Sequence, residues 1–308
     1  MPLPRSRPSR SHLTTSLCPD GLDVHSAPPV ASPVSAQLAP PRFEEGSVEL
    51  CLDDGCPSDD APPAISERGI DPLELYAGGI DTSDYVARVA PLIRAAVPQI
   101  GDLLDVGAGG GQLGCAMRDP LAAWTAIEPG LGMLKRLRAI VPPPHLVPTG
   151  WRDADLPLGC ADTVLAANIA APLTETGAFL TQCRAWARKS VVWLVPAQHG
   201  PRGLCLAGCL PRVWHGEDET PGVDIVLRNL PPRDRPAIIA RAEWTFRAVV
   251  PDLSRMAAYL ADRLGWAASD PRRADLRDHL AAKAVPIACG HRLSVPRASA
   301  LLVWRTAS

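Results

Sequence analysis

The run Asp105-Val-Gly107-Ala108-Gly109-Gly-Gly111 sets a carboxylate two residues ahead of a glycine-rich turn, and Glu128 follows 23 residues after that carboxylate. Glycines in such a turn let the backbone bend sharply and let a ligand approach without a Cβ in the way. An acidic side chain at the end of the next strand can accept hydrogen bonds from both hydroxyls of a ribose, so the two features together predict an adenosine-containing cofactor. Two kinds compete. Gly109-Gly-Gly111-Gln-Leu-Gly114 satisfies the GxGxxG spacing of dinucleotide sites. In that reading the glycines begin three residues after Val106, late for the first turn, and Asp105 stands where such sites carry an apolar residue. A carboxylate at that point suits a ligand bearing an ammonium group, and a ligand without a pyrophosphate makes no demand on the helix N-terminus. The ammonium-bearing cofactor is therefore the preferred reading and NAD the alternative.

These residues need a scaffold, and the chain from Asp102 onward offers one. Leu103–Val106, Trp124–Ile127, His145–Pro148, Asp162–Ala167 and Ser190–Val195 read as short apolar strands. Helical stretches through Met117, over Gly130–Ile140 and over Thr174–Ala187 separate them. Strands alternating with helices at this spacing predict an α/β fold, with a doubly wound, mostly parallel Rossmann-like sheet and helices on both faces. Glu243–Val249 alternates with Trp244 and Phe246 on one side, Ser254–Leu264 reads as a helix, and Ser299–Trp304 is an apolar final strand, expected to run antiparallel. Upstream, Ser83 can cap a helix carrying Val86, Val89, Leu92, Ile93 and Val97, which Pro91 should kink or restart. Residues 1–66 are rich in Pro, Ser, Arg and Ala, end in the acidic run Asp53–Pro63, and read as a disordered tail. The expected organisation is thus that tail and one domain over 67–308, with an irregular insertion at about 200–240.

At 46% hydrophobic, 308 residues can bury a substantial core. A net charge of −2 argues against a dedicated nucleic-acid surface, and no apolar run approaches the ~18–20 residues of a membrane span. Nine cysteines without a CxxC pair suggest neither a disulfide framework nor a zinc site. The close pairs Cys51/Cys56 and Cys205/Cys209 read as small apolar residues in a reducing cytoplasm.

With Leu103–Gly114, Ala126-Ile-Glu128-Pro129 and Asp162-Thr-Val-Leu-Ala in place, the chain resembles the class I S-adenosylmethionine-dependent methyltransferases over roughly residues 70–308, most closely between 100 and 195. The resemblance implies that Asp105 and the loop Gly107–Gly111 (Gly107, Ala108, Gly109 and Gly111) hold the methionine part of S-adenosylmethionine. It gives the ribose to Glu128, with Pro129 beside it. It implies that the loop after the third strand meets the adenine, Asp153 at the amine and Trp151 on the ring, with Asp155 the alternative for the amine. It also places Asn168, just after the fourth strand, near cofactor or substrate. That Asn168 is followed by Ile169 rather than by Pro-Pro-Tyr departs from the nucleobase-amine pattern and disfavours a DNA or RNA base as acceptor.

Methyl transfer from a sulfonium is an in-line displacement, so the protein mainly orients the acceptor and excludes water. Gln198 and His199 follow the fifth strand; His199 is the candidate general base, because imidazole is the side chain suited to proton transfer near neutral pH, with a loop histidine of no role as its alternative. The segment Trp214–Asp224 carries four acids and a histidine, and reads as a solvated acidic loop that could also face an amine or weakly hold a metal. A small-molecule methyltransferase is the expectation. A protein or RNA methyltransferase and a catalytically silent cofactor-binding protein are its alternatives.

Overall fold

The computed structural model describes residues 65–66, 69–169, 173–200, 205–216, 218 and 220–306. The expected tail, apart from 65–66, the Cys51/Cys56 pair and the acids Glu217 and Glu219 lie outside the described residues. β1 (Ile65–Ser66) and β2 (Gly69–Ile70) form a small antiparallel pair. α1 (Pro72–Asp81) follows, started by Asp71, whose carboxylate accepts from the Leu73 N–H at 2.8 Å, and by Pro72, which has no N–H to leave unsatisfied. α2 (Tyr85–Ala96) then runs unbroken through Pro91, where a kink or restart was expected. Its apolar residues Val89 and Ile93 are buried on either side of the proline, and that packing outweighs the ~3 kcal/mol that an interior proline costs.

The alternation of strand and helix then proceeds as β3 (Leu103–Val106), α3 (Gln112–Met117), β4 (Trp124–Ile127), α4 (Leu131–Ala139), β5 (His145–Val147), β6 (Ala161–Ala167), α5 (Thr176–Trp186) and β7 (Ala187–Pro196). The stretch expected to be an irregular insertion carries two short helices, α6 (Arg212–His215) and α7 (Gly222–Asn229). The chain closes with β8 (Ile238–Val250), α8 (Leu253–Arg263), α9 (Arg272–Lys283), β9 (Val285–Ile287) and β10 (Gly290–Arg305). The sheet order is β5-β4-β3-β6-β7-β10-β8. β3 to β7 pair in parallel, and β10 inserts antiparallel between β7 and β8. This is the mostly parallel, doubly wound sheet with an antiparallel last strand.

Side chains alternate across each strand and divide the core in two. Leu103, Leu165, Val192 and Val303 join the faces of α1 to α4, α8 and α9. Leu104, Val164, Trp193 and Leu302 pack with α5 and α7 on the other side. Both faces are therefore buried, which is why Leu103-Leu104, Val164–Ala167 and Val191–Val195 are apolar at successive positions rather than at alternate ones.

Three contacts fix α1 and the turn after it against β8. Phe246 lies under Gly79 so closely that an added Cβ would sit 2.1 Å from the ring. Thr82 Oγ1 donates to the Arg247 carbonyl at 2.6 Å, and the Thr245 N–H donates to Asp84 Oδ1 at 2.7 Å. Phe246 is fully buried and cannot swing away. Gly79→Val is therefore expected to lower the unfolding free energy by about 1–3 kcal/mol through overpacking, read from urea titration; undiminished stability would mean that α1 does not rest on Phe246.

Candidate cofactor and acceptor site

Ligands of open α/β sheets bind beyond the carboxyl ends of the strands, and the described residues enclose a cavity of about 620 Å³ there. β3 delivers Asp105 and β4 delivers Glu128 to its wall, adjacent strands in register with Asp105 opposite Ala126. Gly107, the first residue past β3, begins the turn directly, with its N–H donating to the Ile127 carbonyl at 2.8 Å. Glu128 then clamps the two loops of the site. Its Oε2 accepts from the Gly109 N–H at 2.9 Å and its Oε1 from the Gly130 N–H at 2.7 Å.

The glycines of the loop do different work. Gly109 has φ +57, and a Cβ there would meet nothing within 4 Å, so its backbone faces open cavity. Gly111 is not part of the cavity wall. It begins α3 in a left-handed conformation, and a Cβ on it would press on Leu137 of α4 and on Ile140, just past its end, at 2.6 and 2.8 Å. Gly114, the last glycine of the competing GxGxxG reading, is buried inside α3, where a Cβ would lie 2.2 Å from Asp105 Oδ2. Its smallness makes room for the carboxylate.

Asp105 is 3% exposed, and burial, with the nearby Glu128 charge second, pushes its carboxyl up to about 7. A buried carboxyl beside a second carboxylate resists ionisation unless a cation joins them. An ammonium or sulfonium group is such a cation, and the pair fits a ligand that carries one.

α1 roofs the cavity with Pro72, Leu73, Tyr76, Ala77 and Ile80, and α2 adds Tyr85. Burial raises the Tyr76 hydroxyl to about 12 and the Tyr85 hydroxyl well above its usual value. Both phenols therefore stay protonated and can act as hydrogen-bond donors or acceptors, not as bases. The Asn168 side chain, held at φ +55, bears on both hydroxyls, but the geometry leaves the buried Tyr85 Oη without a formed hydrogen bond. Beyond them the wall passes to Gln198, Trp244, Tyr259 and Arg297.

The cavity thus brings together Asp105, Gly107, Ala108, Gly109, Glu128, Pro129 and Asn168. It does not bring in Trp151, Asp153 or His199. Trp151 turns into the second core, its ring 5.1 Å from Phe179 with the Arg152 guanidinium over it. Asp153 and Asp155 are exposed, and so is His199, which is not among the wall residues. Gln198, its neighbour, does face the cavity, and its Oε1 accepts from the Ala298 N–H at 3.0 Å. The segment read as a solvated acidic loop is only partly so: Trp214 packs edge-on against Trp266 and His279, and Asp224 sits in the first turn of α7. Cys205 and Cys209 are both free thiols. No helix among the described residues is long and apolar enough to cross a membrane.

Tyr76, Tyr85 and Arg297 were not singled out from sequence. Asp71-Pro72, a capping residue followed by a proline suited to the first helical position, was the available signal for the helix that carries Tyr76. Arg297 lies in the half of β10 upstream of the apolar run Ser299–Trp304.

No protein-family model and no curated protein matches the chain. Among solved structures, a candidate type II methyltransferase of Anaeromyxobacter dehalogenans aligns over 70% of this chain and 94% of its own, at 19% identity and TM-score 0.45. A candidate methyltransferase of Bacillus halodurans aligns over 72% and 100%, at 12% identity and TM-score 0.45. The magnesium protoporphyrin IX methyltransferase of Synechocystis, solved with S-adenosylmethionine bound, aligns over 44% and 67%, at 14% identity and TM-score 0.32. These overlaps are loose, and the strand order of the chain itself defines the architecture: the described residues form a mostly parallel, Rossmann-like sheet with β10 antiparallel between β7 and β8.

Proposed function

We propose that the protein transfers a methyl group from S-adenosylmethionine to a small-molecule acceptor. The observation that carries this reading is the pair of buried carboxylates, Asp105 and Glu128, at the ends of adjacent strands and flanking an open glycine loop. Glu128 would take the ribose hydroxyls with the lone pairs left over from its two backbone contacts. Asp105 would face the ammonium of the methionine part, and Gly109 would let the cofactor lie against the loop backbone. Pro129 and Gly130, at the start of α4, would border the nucleoside.

When bound, the cofactor supplies the activated methyl group and its leaving group. The chain's own work is then to hold the acceptor in line and to keep water out. The roof helix α1 and the aromatic residues Tyr76, Tyr85 and Trp244 suit both tasks and favour an acceptor small enough to be enclosed. His199, exposed and away from the cavity wall, is not assigned a proton-transfer role.

Calorimetry on the full chain with S-adenosylmethionine, S-adenosylhomocysteine and NADH tests the donor. Binding of the first two and not of NADH is expected. NADH binding without S-adenosylhomocysteine binding would replace this reading with the dinucleotide one.

A further inference from the structure

The cavity is electrically two-ended. Its wall runs from the residues just past β4 to the middle of β8, five neighbours apart in the sheet, a span of about 24 Å at ~4.8 Å per strand. The carboxylates Asp105 and Glu128 occupy the β3/β4 end. At the other end stands Arg297 of β10, and Arg263, the last residue of α8, is a second cation of the wall. Arg297 is three strands from Asp105, about 14 Å across the sheet, and is therefore remote from the ammonium-binding end. It pairs across the ladder with Trp244 of β8, is half-buried, and is steadied by donating from Nη2 to the Cys205 carbonyl. Its positive charge reaches Tyr76 and Cys205, where it opposes the effect of burial on both groups.

Between the two ends the wall is aromatic. Tyr85 and Trp244 lie with ring centroids 4.7 Å apart, and Tyr76 stacks on Phe246 behind them. The Tyr85 hydroxyl, buried and without a formed hydrogen bond, adds a polar group to that otherwise apolar stretch. A ligand filling this half must present a flat apolar body to the rings and a group that suits guanidinium. Guanidinium selects planar anions, and carboxylate above all.

We propose that the acceptor is an organic anion with a planar, aromatic-sized body, its carboxylate or equivalent anionic group held by Arg297 with Arg263 at the cavity mouth. This assignment rests on the methyl-transfer reading of the same cavity. It makes the donor and acceptor ends complementary in sign, a cationic cofactor over the carboxylates and an anionic acceptor over the arginines. It also states a preference that an amine-recognising site would reverse.

2-Naphthoate, 2-naphthamide and 2-naphthylmethylamine serve as probes of one shape and different charge, titrated calorimetrically into the full chain with saturating S-adenosylhomocysteine. Naphthoate is expected to bind about tenfold or more tightly than the amide, one charge-assisted contact being worth ~1.5–3 kcal/mol, and the amine more weakly still. Arg297→Gln should abolish the preference for naphthoate, Arg297→Lys should keep part of it, and S-adenosylhomocysteine affinity should stay within about twofold. Arg263→Gln, a change at an exposed position, should weaken naphthoate binding and leave the amide unaffected, which keeps the test decisive should Arg297→Gln disturb the fold. Equal or tighter binding of the amide or amine, or a naphthoate preference that survives both glutamine variants, would overturn the proposal. Failure of wild type to bind S-adenosylhomocysteine would instead overturn the donor reading, and naphthoate titrated alone would still report on Arg297.

Discussion

Glu128→Ala is expected to weaken S-adenosylhomocysteine binding about a hundredfold or more while the chain remains folded. Hydrogen bonds to a charged carboxylate are worth ~1.5–3 kcal/mol each, and loss of two to the ribose exceeds the ~1.4 kcal/mol that a decade of affinity represents by at least twofold. The variant also releases the Gly109 and Gly130 N–H groups, which now converge on Glu128 from either side of the site, so the loop loses its preorganisation together with the contact. Glu128→Gln keeps the shape and one acceptor oxygen and should fall between wild type and alanine. Unchanged affinity in the alanine variant, measured by calorimetry against an intact near-ultraviolet spectrum, would remove the ribose assignment.

The second large effect is a pH dependence set by Asp105. Its carboxyl is raised from 3.8 to about 7 in the folded protein by burial and then by Glu128. An ammonium-bearing ligand needs it ionised, so binding below pH 7 must expel its proton. Affinity for S-adenosylhomocysteine should therefore climb by up to about tenfold per pH unit as pH approaches 7, and level off above it. Stability of the ligand-free protein runs the opposite way. Between about pH 4 and pH 7 the folded state holds a proton that the unfolded chain has lost, so stability falls as pH rises through that window and is flat beyond it. Asp105→Asn should flatten both profiles while lowering affinity at pH 8. A wild-type affinity independent of pH between 5.5 and 7.5 would show that Asp105 does not face the ammonium.

The parts of this site that were legible in the sequence are those where local chemistry and fold agree. Leu103–Val106 is buried on both faces, so Leu103, Leu104 and Val106 are apolar without alternation and Asp105 stands out among them, and the turn that follows must be glycine-rich to reverse direction beside a ligand. Trp124–Ile127 and Glu128 follow for the same reason. α1 was not legible, because Gly78 and Gly79 lower its helix propensity and the reason for Gly79 is Phe246, 167 residues away in sequence. α9 buries only Leu276 and Leu280, too thin an apolar stripe to stand out. Trp151, expected on the adenine, packs edge-on against Phe179 and is not on the cavity wall. An aromatic residue after a strand can turn to either face of the sheet, and only the packing of α5 decides which. Arg297 escaped notice because the upstream half of β10 alternates polar and apolar residues along a strand whose length is set by its partner β8.

The bonds that seat the roof also close the sheet. β8 is the last strand in the order, and on that side its Thr245 N–H and Arg247 carbonyl are taken by Asp84 and Thr82, from the turn between α1 and α2. A bare strand edge is a template for another chain, and covering it is one of the ways proteins avoid aggregation. Any movement that lifts α1 to admit a ligand pulls on the segment that blunts this edge. Loss of these two bonds would leave the Thr245 N–H and the Arg247 carbonyl of β8 unpaired at the sheet edge, where another strand could add.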